Sequence, residues 1–288
     1  MVDVAKYAKM QKDFFEANAG ANPEGVVGSY DYHENFPYET NLLYKYGDIR
    51  KPVYYNFRHR SAFEYGCGEG RMIRRMRKFF GQVDGVDISE SMVNHARARC
   101  RGSNIYVTEG MNAGAAKSNA YDFAYCTLSL QQISVHEVRD QIIDDLVRIL
   151  KPGGKMTLQF LFSKFYPFVH ASLPTHVLPP PRTIGQASPE PAKDVGVQTF
   201  FLDTKHAGWH DNKDDSGSGC DVVIGTDEIA VVEADMRRKF ESVECWFHDI
   251  SIGRTEPRAL SHLHPNSHLG PMYLGTHFMF IHCDRPKK

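Results

Sequence analysis

Between residues 61 and 162 short apolar runs alternate with stretches in which apolar residues recur every three or four places. The runs at 62–65, 83–86, 105–107, 123–126 and 155–162 have the length and the β-branched or aromatic content of buried strands. The stretches between them read as amphipathic helices, and the alternation as parallel strands joined by crossovers. Helix starts are marked by capping-box spacing at Asp87-Ile-Ser-Glu90 and Ser134-Val-His-Glu137, and a stop by Lys151-Pro-Gly-Gly154. Upstream, Val4, Tyr7, Ala8, Met10, Phe14 and Phe15 fall near helical spacing, predicting an opening helix that ends before the glycines of 20–28. A Tyr-rich stretch with a short helix around 39–46 follows.

The alternation lapses at 163–224. Seven of the fifteen prolines lie between Pro167 and Pro191, and a polar Asp/Ser/Gly tract follows at 211–219. Helical spacing returns through Ile229, Val232, Met236 and Phe240, then strand-like runs appear at 243–250 and 273–283. The expected division is an N-terminal helical and aromatic cap (1–55), a core (56–162), an insertion (163–224) and the completion of the core (225–288).

Composition narrows the function classes. The 288 residues are 42% hydrophobic, enough for a sizeable core, and 34 Lys plus Arg against 35 Asp plus Glu give a formal charge of -1. No overall field gathers polyanions, so nucleic acid is not an expected partner. The basic helix through Arg71, Arg74, Arg75, Arg77 and Lys78 reads as a solvated face. Six scattered cysteines without a C-x-x-C argue against a zinc ribbon and for reduced thiols. No apolar run approaches the roughly 20 residues that span a bilayer, and a cytoplasmic location is expected. Histidines cluster at His262-Leu-His-Pro-Asn-Ser-His268, but Pro265 and the absence of an i, i+4 pair there leave no metal centre expected.

Glu64-Tyr-Gly-Cys-Gly-Glu-Gly70 sits between a strand and a helix, where doubly wound sheets bind nucleotides. A dinucleotide fingerprint needs a glycine where Arg71 stands, and a pyrophosphate would meet the carboxylates of Glu64 and Glu69. A cationic cofactor without phosphate, such as S-adenosylmethionine, removes that conflict. Asp87, seventeen residues after Gly70, ends the next strand and suits both hydroxyls of a ribose.

These segments, together with Gly85-Val-Asp-Ile-Ser89, Tyr121-Asp-Phe-Ala-Tyr-Cys126, Leu130-Gln-Gln-Ile133 and Leu150-Lys-Pro-Gly-Gly154, resemble the class I S-adenosylmethionine-dependent methyltransferases. The resemblance implies an α/β fold: a doubly wound, Rossmann-like, seven-stranded sheet with an antiparallel last strand, an N-terminal helical cap and a lid inserted after the fifth strand. It implies S-adenosylmethionine as cofactor, with its methionine end on Glu64, Gly66, Cys67 and Gly68, its ribose on Asp87, and its adenine beside Ile88 and Met92. Asn112, preceded by Met111, would reach the adenine amine, and Cys126 and Thr127 would run beside the amino-acid part. Gln132 stands where many relatives carry a histidine.

The insertion and the Tyr-rich segment are expected to enclose a pocket for a small-molecule acceptor methylated at oxygen or nitrogen. His206 and His210, beside Trp209, are the candidate bases. A macromolecular acceptor, RNA or protein, and a cofactor-binding module without turnover are the alternatives.

Overall fold

Strands form where the apolar runs fall: β1 (Ser61–Tyr65), β2 (Gln82–Asp87), β3 (Ile105–Val107), β4 (Tyr121–Cys126) and β5 (Leu150–Ser163). They pair in parallel in the spatial order 5-4-1-2-3, so the direction of winding reverses between β1 and β4. Such a reversal opens a crevice beyond the carboxyl ends of these two strands. The computed structural model describes residues 2–21, 36–46, 57–163, 172–173, 198–199, 206–213, 221–248 and 276–288. Among them no helix is long and apolar enough to cross a membrane.

The second half of the chain adds β6 (Ser172–Leu173) and β7 (Gln198–Thr199), which pair with each other, then β8 (His206–Ala207), β9 (Asp221–Gly225), β10 (Phe240–His248) and β11 (Thr276–Pro286). As expected, β11 runs antiparallel, lying between β5 and β10. Among the described residues the sheet nevertheless has nine strands where seven were expected. β9 runs parallel to the end of β5, with Leu161 opposite Val223 and Ser163 opposite Gly225, and β8 pairs with β9. Because β11 holds one edge of β5, β9 takes the edge that β4 leaves after Cys126. Val222, Val223 and Ile224 are fully buried, so the stretch expected as an insertion contributes to the core. The remainder of the expected lid lies mostly outside the described residues.

Among the described residues six helices flank the sheet: α1 (Val4–Ala21), α2 (Tyr38–Leu42), α3 (Arg71–Met76), α4 (Glu90–Arg99), α5 (His136–Ile149) and α6 (Ile229–Lys239). Successive strand residues face opposite ways. Ala62, Val83 and Phe123 therefore pack with Met72, Ile73, Val93 and Ala96 of α3 and α4. Phe63, Val86 and Phe160 pack with Ile142, Leu146, Val232 and Met236 of α5 and α6 on the other face. Each of the Val, Leu, Ile, Phe and Met side chains among these, fully buried, stabilises the fold by about 1.5–3 kcal/mol.

Two helix starts differ from the spacing-based expectation. The cap of α4 is Ser89, whose Oγ accepts from Met92 N at 3.2 Å, because the Asp87 carboxylate is taken up by backbone amides. At α5 the Ser134 hydroxyl donates instead to Lys213 O at 2.7 Å. The orphan amides of His136 and Glu137 donate to Asn212 Oδ1, at 2.8 and 3.4 Å, so a residue far along the chain caps this helix.

Candidate functional site

The loop after β1 is fixed by glycine geometry. Gly66, Gly68 and Gly70 have φ of 70°, 50° and 83°, in the left-handed region that L side chains avoid. The amides of Gly66 and Cys67 donate to Val86 O at 2.8 and 2.9 Å, tying the loop to the end of β2. A Cβ on Gly66 would fall 2.0 Å from Ser129 Oγ, whereas one on Gly68 would meet nothing within 4 Å. Gly66 therefore serves packing, and Gly68 leaves bare backbone on an open side.

That open side belongs to a cavity beyond the carboxyl ends of β1, β2 and β4. Glu64 is buried in its wall and receives a hydrogen bond from the Tyr125 hydroxyl at 3.3 Å. Burial pushes its carboxyl up to about 8, against the pull of the Arg71 charge, so it is protonated at neutral pH. Asp87 accepts from Gly68 N at 2.8 Å and from Ser89 N at 3.0 Å. Burial raises its carboxyl above the ordinary value, and these amide bonds oppose the rise. Buried Glu69 pairs with Arg99, and the buried Arg71 guanidinium lies 5.1 Å from the centre of the Tyr38 ring.

The roof is α1, which presents Tyr7, Ala8, Gln11 and Phe15 to the cavity. It is held at three points. Glu16 accepts from the hydroxyls of Ser89 and Ser91, both at 2.6 Å; Lys12 pairs with Glu109 at 2.8 Å; and Tyr7 Oη accepts from Ser134 N at 2.9 Å. Gln11 Nε2 donates to Tyr7 Oη at 3.0 Å, and Gln11 Oε1 is buried with no hydrogen-bond partner among the described residues. The opposite wall runs from Thr127 through Ser129 to Gln132 and Ile133, with Val138 of α5. Within it Leu128 has φ 66°, a strained conformation of the kind that collects at binding sites.

Of the residues singled out from the sequence, Glu64, Gly66, Cys67, Gly68, Asp87, Ile88, Met92 and Thr127 all line this cavity. Met111, Asn112 and Cys126 do not. Asn112 is exposed, and its Oδ1 accepts from Thr108 Oγ1 and Gly114 N, both at 2.9 Å, so it shapes a turn while Gly110 takes the place in the wall. Met111 is half-buried against the core. Cys126 is fully buried, accepts from Leu130 N at 3.4 Å, and has its thiol pushed up to about 12. Burial likewise raises the Cys67 thiol well above its usual value, which excludes it as a thiolate nucleophile.

The histidine bases fare differently. His206 lies in β8, paired with Asp221, and His210 hydrogen-bonds through Nε2 to Asp235 Oδ2 at 2.5 Å, outside the cavity wall. The basic helix is also not one solvated face. Arg71 lines the cavity, and Arg75 pairs with Glu39 and donates to Phe36 O. α1 forms one wall of the cavity, and of the tyrosines expected to wall it Tyr30, Tyr32, Tyr54 and Tyr55 lie outside the described residues. Sequence reasoning missed Gln11 and Arg71 as site residues. A glutamine four places from Tyr7 on an otherwise apolar helix face was the available sign of the first.

Residues 63–158 match the family described as Methyltransferase domain. A malonyl-[acyl-carrier protein] O-methyltransferase from Salmonella typhimurium is 31% identical over 94 residues, covering 33% of this chain and 36% of that protein. The protein of the same name from Pseudescherichia vulneris is 28% identical over 144 residues, covering 49% and 53%. The chain thus spans about half or less of the curated relatives it matches. Among solved structures, an S-adenosylmethionine-dependent methyltransferase from Clostridium acetobutylicum aligns over 44% of this chain and 55% of its own, at 19% identity and a TM-score of 0.34. CalS10, an amino pentose methyltransferase from Micromonospora echinaspora solved with S-adenosylmethionine bound, aligns over 37% and 47%, at 19% identity and a TM-score of 0.33. Across residues 63–158, where the glycine loop, the acidic end of β2 and the reversal of winding stand together, the chain matches the methyltransferase domain family, in line with the resemblance read from its sequence.

Proposed function

We propose that the chain binds S-adenosylmethionine in this cavity and transfers its methyl group to an oxygen or nitrogen of a small-molecule acceptor. The observation that carries this reading is the convergence of Glu64, Asp87 and the bare backbone of Gly68 on one enclosed space. A phosphate would face Glu64, Glu69 and Asp87 there, whereas a cationic ligand with a ribose suits the same groups. The unpartnered acceptor of Gln11 adds a place for an N–H donor such as an exocyclic amine.

Bound at this site, the cofactor supplies an electrophilic methyl group on a sulfonium whose leaving form is a neutral thioether. The rest falls to the chain. Glu64, its proton lost to solvent, would hold the ammonium of the methionine part, Asp87 would accept from the ribose hydroxyls, and Ile88 and Met92 would flank the adenine. The α1 roof excludes water and the wall from Thr127 to Gln132 orients the acceptor. With no described histidine in the wall, orientation is the main source of rate. It is worth about 7–11 kcal/mol for well-placed reactants, enough for a neutral amine without a base.

A second acceptor class rests on Arg71, a buried cation in the same wall, which would hold a carboxylate-bearing acceptor. The curated relatives are named for malonyl-[acyl-carrier protein], an acceptor of that kind. Titration calorimetry with S-adenosylmethionine, S-adenosylhomocysteine and NAD tests the cofactor, and transfer of isotopically labelled methyl to amines, alcohols and malonyl thioesters tests the acceptor. Heat from NAD alone would sink the reading.

A further inference from the structure

Outside the cavity, three side chains from three elements meet. His136 opens α5, His210 follows β8 in a turn, and Asp235 lies in α6. One ring nitrogen of each histidine and one carboxylate oxygen lie within 4.8 Å of one another. His210 Nε2 is 2.5 Å from Asp235 Oδ2, and the His136 ring stands edge-on to that of His210 with centroids 4.7 Å apart. His136 Nδ1 is buried with no hydrogen-bond partner among the described residues.

We propose that His136, His210 and Asp235 form a binding site for a divalent first-row transition ion, zinc foremost. Two imidazoles and a carboxylate are the donor set such ions take, and three protein ligands leave one position for water or an outside ligand. Bonds of about 2.0–2.2 Å in a tetrahedron set ligand atoms roughly 3.4 Å apart. The His210–Asp235 pair is already closer than that, so the ion replaces the proton they share and His136 swings in from the side. The carboxylate is pre-oriented: Trp209 Nε1 donates to Asp235 Oδ2 at 2.7 Å and Arg238 to Oδ1 at 2.7 Å, the outer hydrogen bonding that metal sites use. His136 is anchored too, through the capping of its amide by Asn212. Arg139, buried beneath Trp209, opposes a cation and limits the affinity.

The ligands are 74 and 25 residues apart in sequence, so no spacing motif marks them. None lines the cavity, yet His136 lies between Gln132 and Val138, which do. An ion here clamps the turn after β8 and α6 onto one wall of the crevice.

Cobalt(II) and zinc added to the chelator-stripped 288-residue chain give the test. The expected result is one equivalent bound, a visible cobalt absorption of low-symmetry type, and a melting temperature raised by about 5 °C at 100-fold excess over Kd. His210→Ala and Asp235→Asn should each weaken binding about 100-fold or more. A combined His262→Ala, His264→Ala and His268→Ala variant should bind as wild type. His210 is half-exposed, so its replacement keeps the fold. No cobalt spectrum from the wild type, or a spectrum kept by the His210 and Asp235 variants and lost in the triple variant, would overturn the proposal.

Discussion

At Glu64 a carboxyl is held in a wall that keeps it protonated up to a pH of about 8. A bound ammonium has to displace that proton, so affinity for S-adenosylmethionine should rise with pH towards about 8. Glu64→Gln should bind at least about tenfold more weakly and lose that pH dependence, which calorimetry in buffers of different ionisation enthalpy will read. The same proton affects folding with a definite sign. Between the ordinary 4.5 and 8 the native state holds a proton that the unfolded state has lost, so this group's contribution to stability falls as pH rises. Urea titrations should show that fall in the wild type and not in Glu64→Gln. Asp87→Ala should cost at least about tenfold in affinity through loss of the ribose hydrogen bonds proposed for it, and should also lower the melting temperature because Gly68 and Ser89 lose their acceptor. Glu64 and Asp87 were legible in the sequence because glycines and strand ends mark them. Gln11 and Arg71 were not, because their place depends on how α1 and α3 dock.

The helices carry the next set of consequences. Glu16 fastens α1 across the start of α4, and the Ser89 and Ser91 hydroxyls hold its carboxyl below the ordinary 4.5. A depressed carboxyl stabilises the fold above its unfolded value and loses that effect as pH falls through its folded one. Acidification below about 4.5 should therefore loosen α1, and Glu16→Gln should do so at neutral pH, seen as faster amide hydrogen exchange in α1. Asn212→Ala removes the cap of α5 and should cost about 0.5–2 kcal/mol, read from denaturant midpoints. All the strands expected in the core were legible because buried parallel strands write themselves as apolar runs. β9 was not: Val222, Val223 and Ile224 are too short a run to stand out after a polar tract. The cap from Asn212 was equally hidden, since a bond across 76 residues leaves no local pattern.

For the whole molecule, a formal charge of -1 and the pairing of Arg75 with Glu39 leave little for a polyanion to grip. Methyl transfer to a small acceptor should vary less than about twofold between 50 and 300 mM salt. A steep decline would point to RNA, whose binding weakens by orders of magnitude over such a range. The doubly wound architecture was readable because strand order follows from alternation and chirality. The number of strands was not, because it depends on which edge of β5 remains free after Cys126.

β11 lies between β5 and β10, yet β10 precedes it in the chain. The hairpin partner therefore has no place in the sheet until residues 276–286 arrive, and Met156 must find Cys283 across more than a hundred residues. Closing such a loop is slow, and until then the apolar edge of β5 is open to strands of other chains. Refolding should accordingly have a late, rate-limiting phase that reports on this insertion, with aggregation competing at that stage as protein concentration rises.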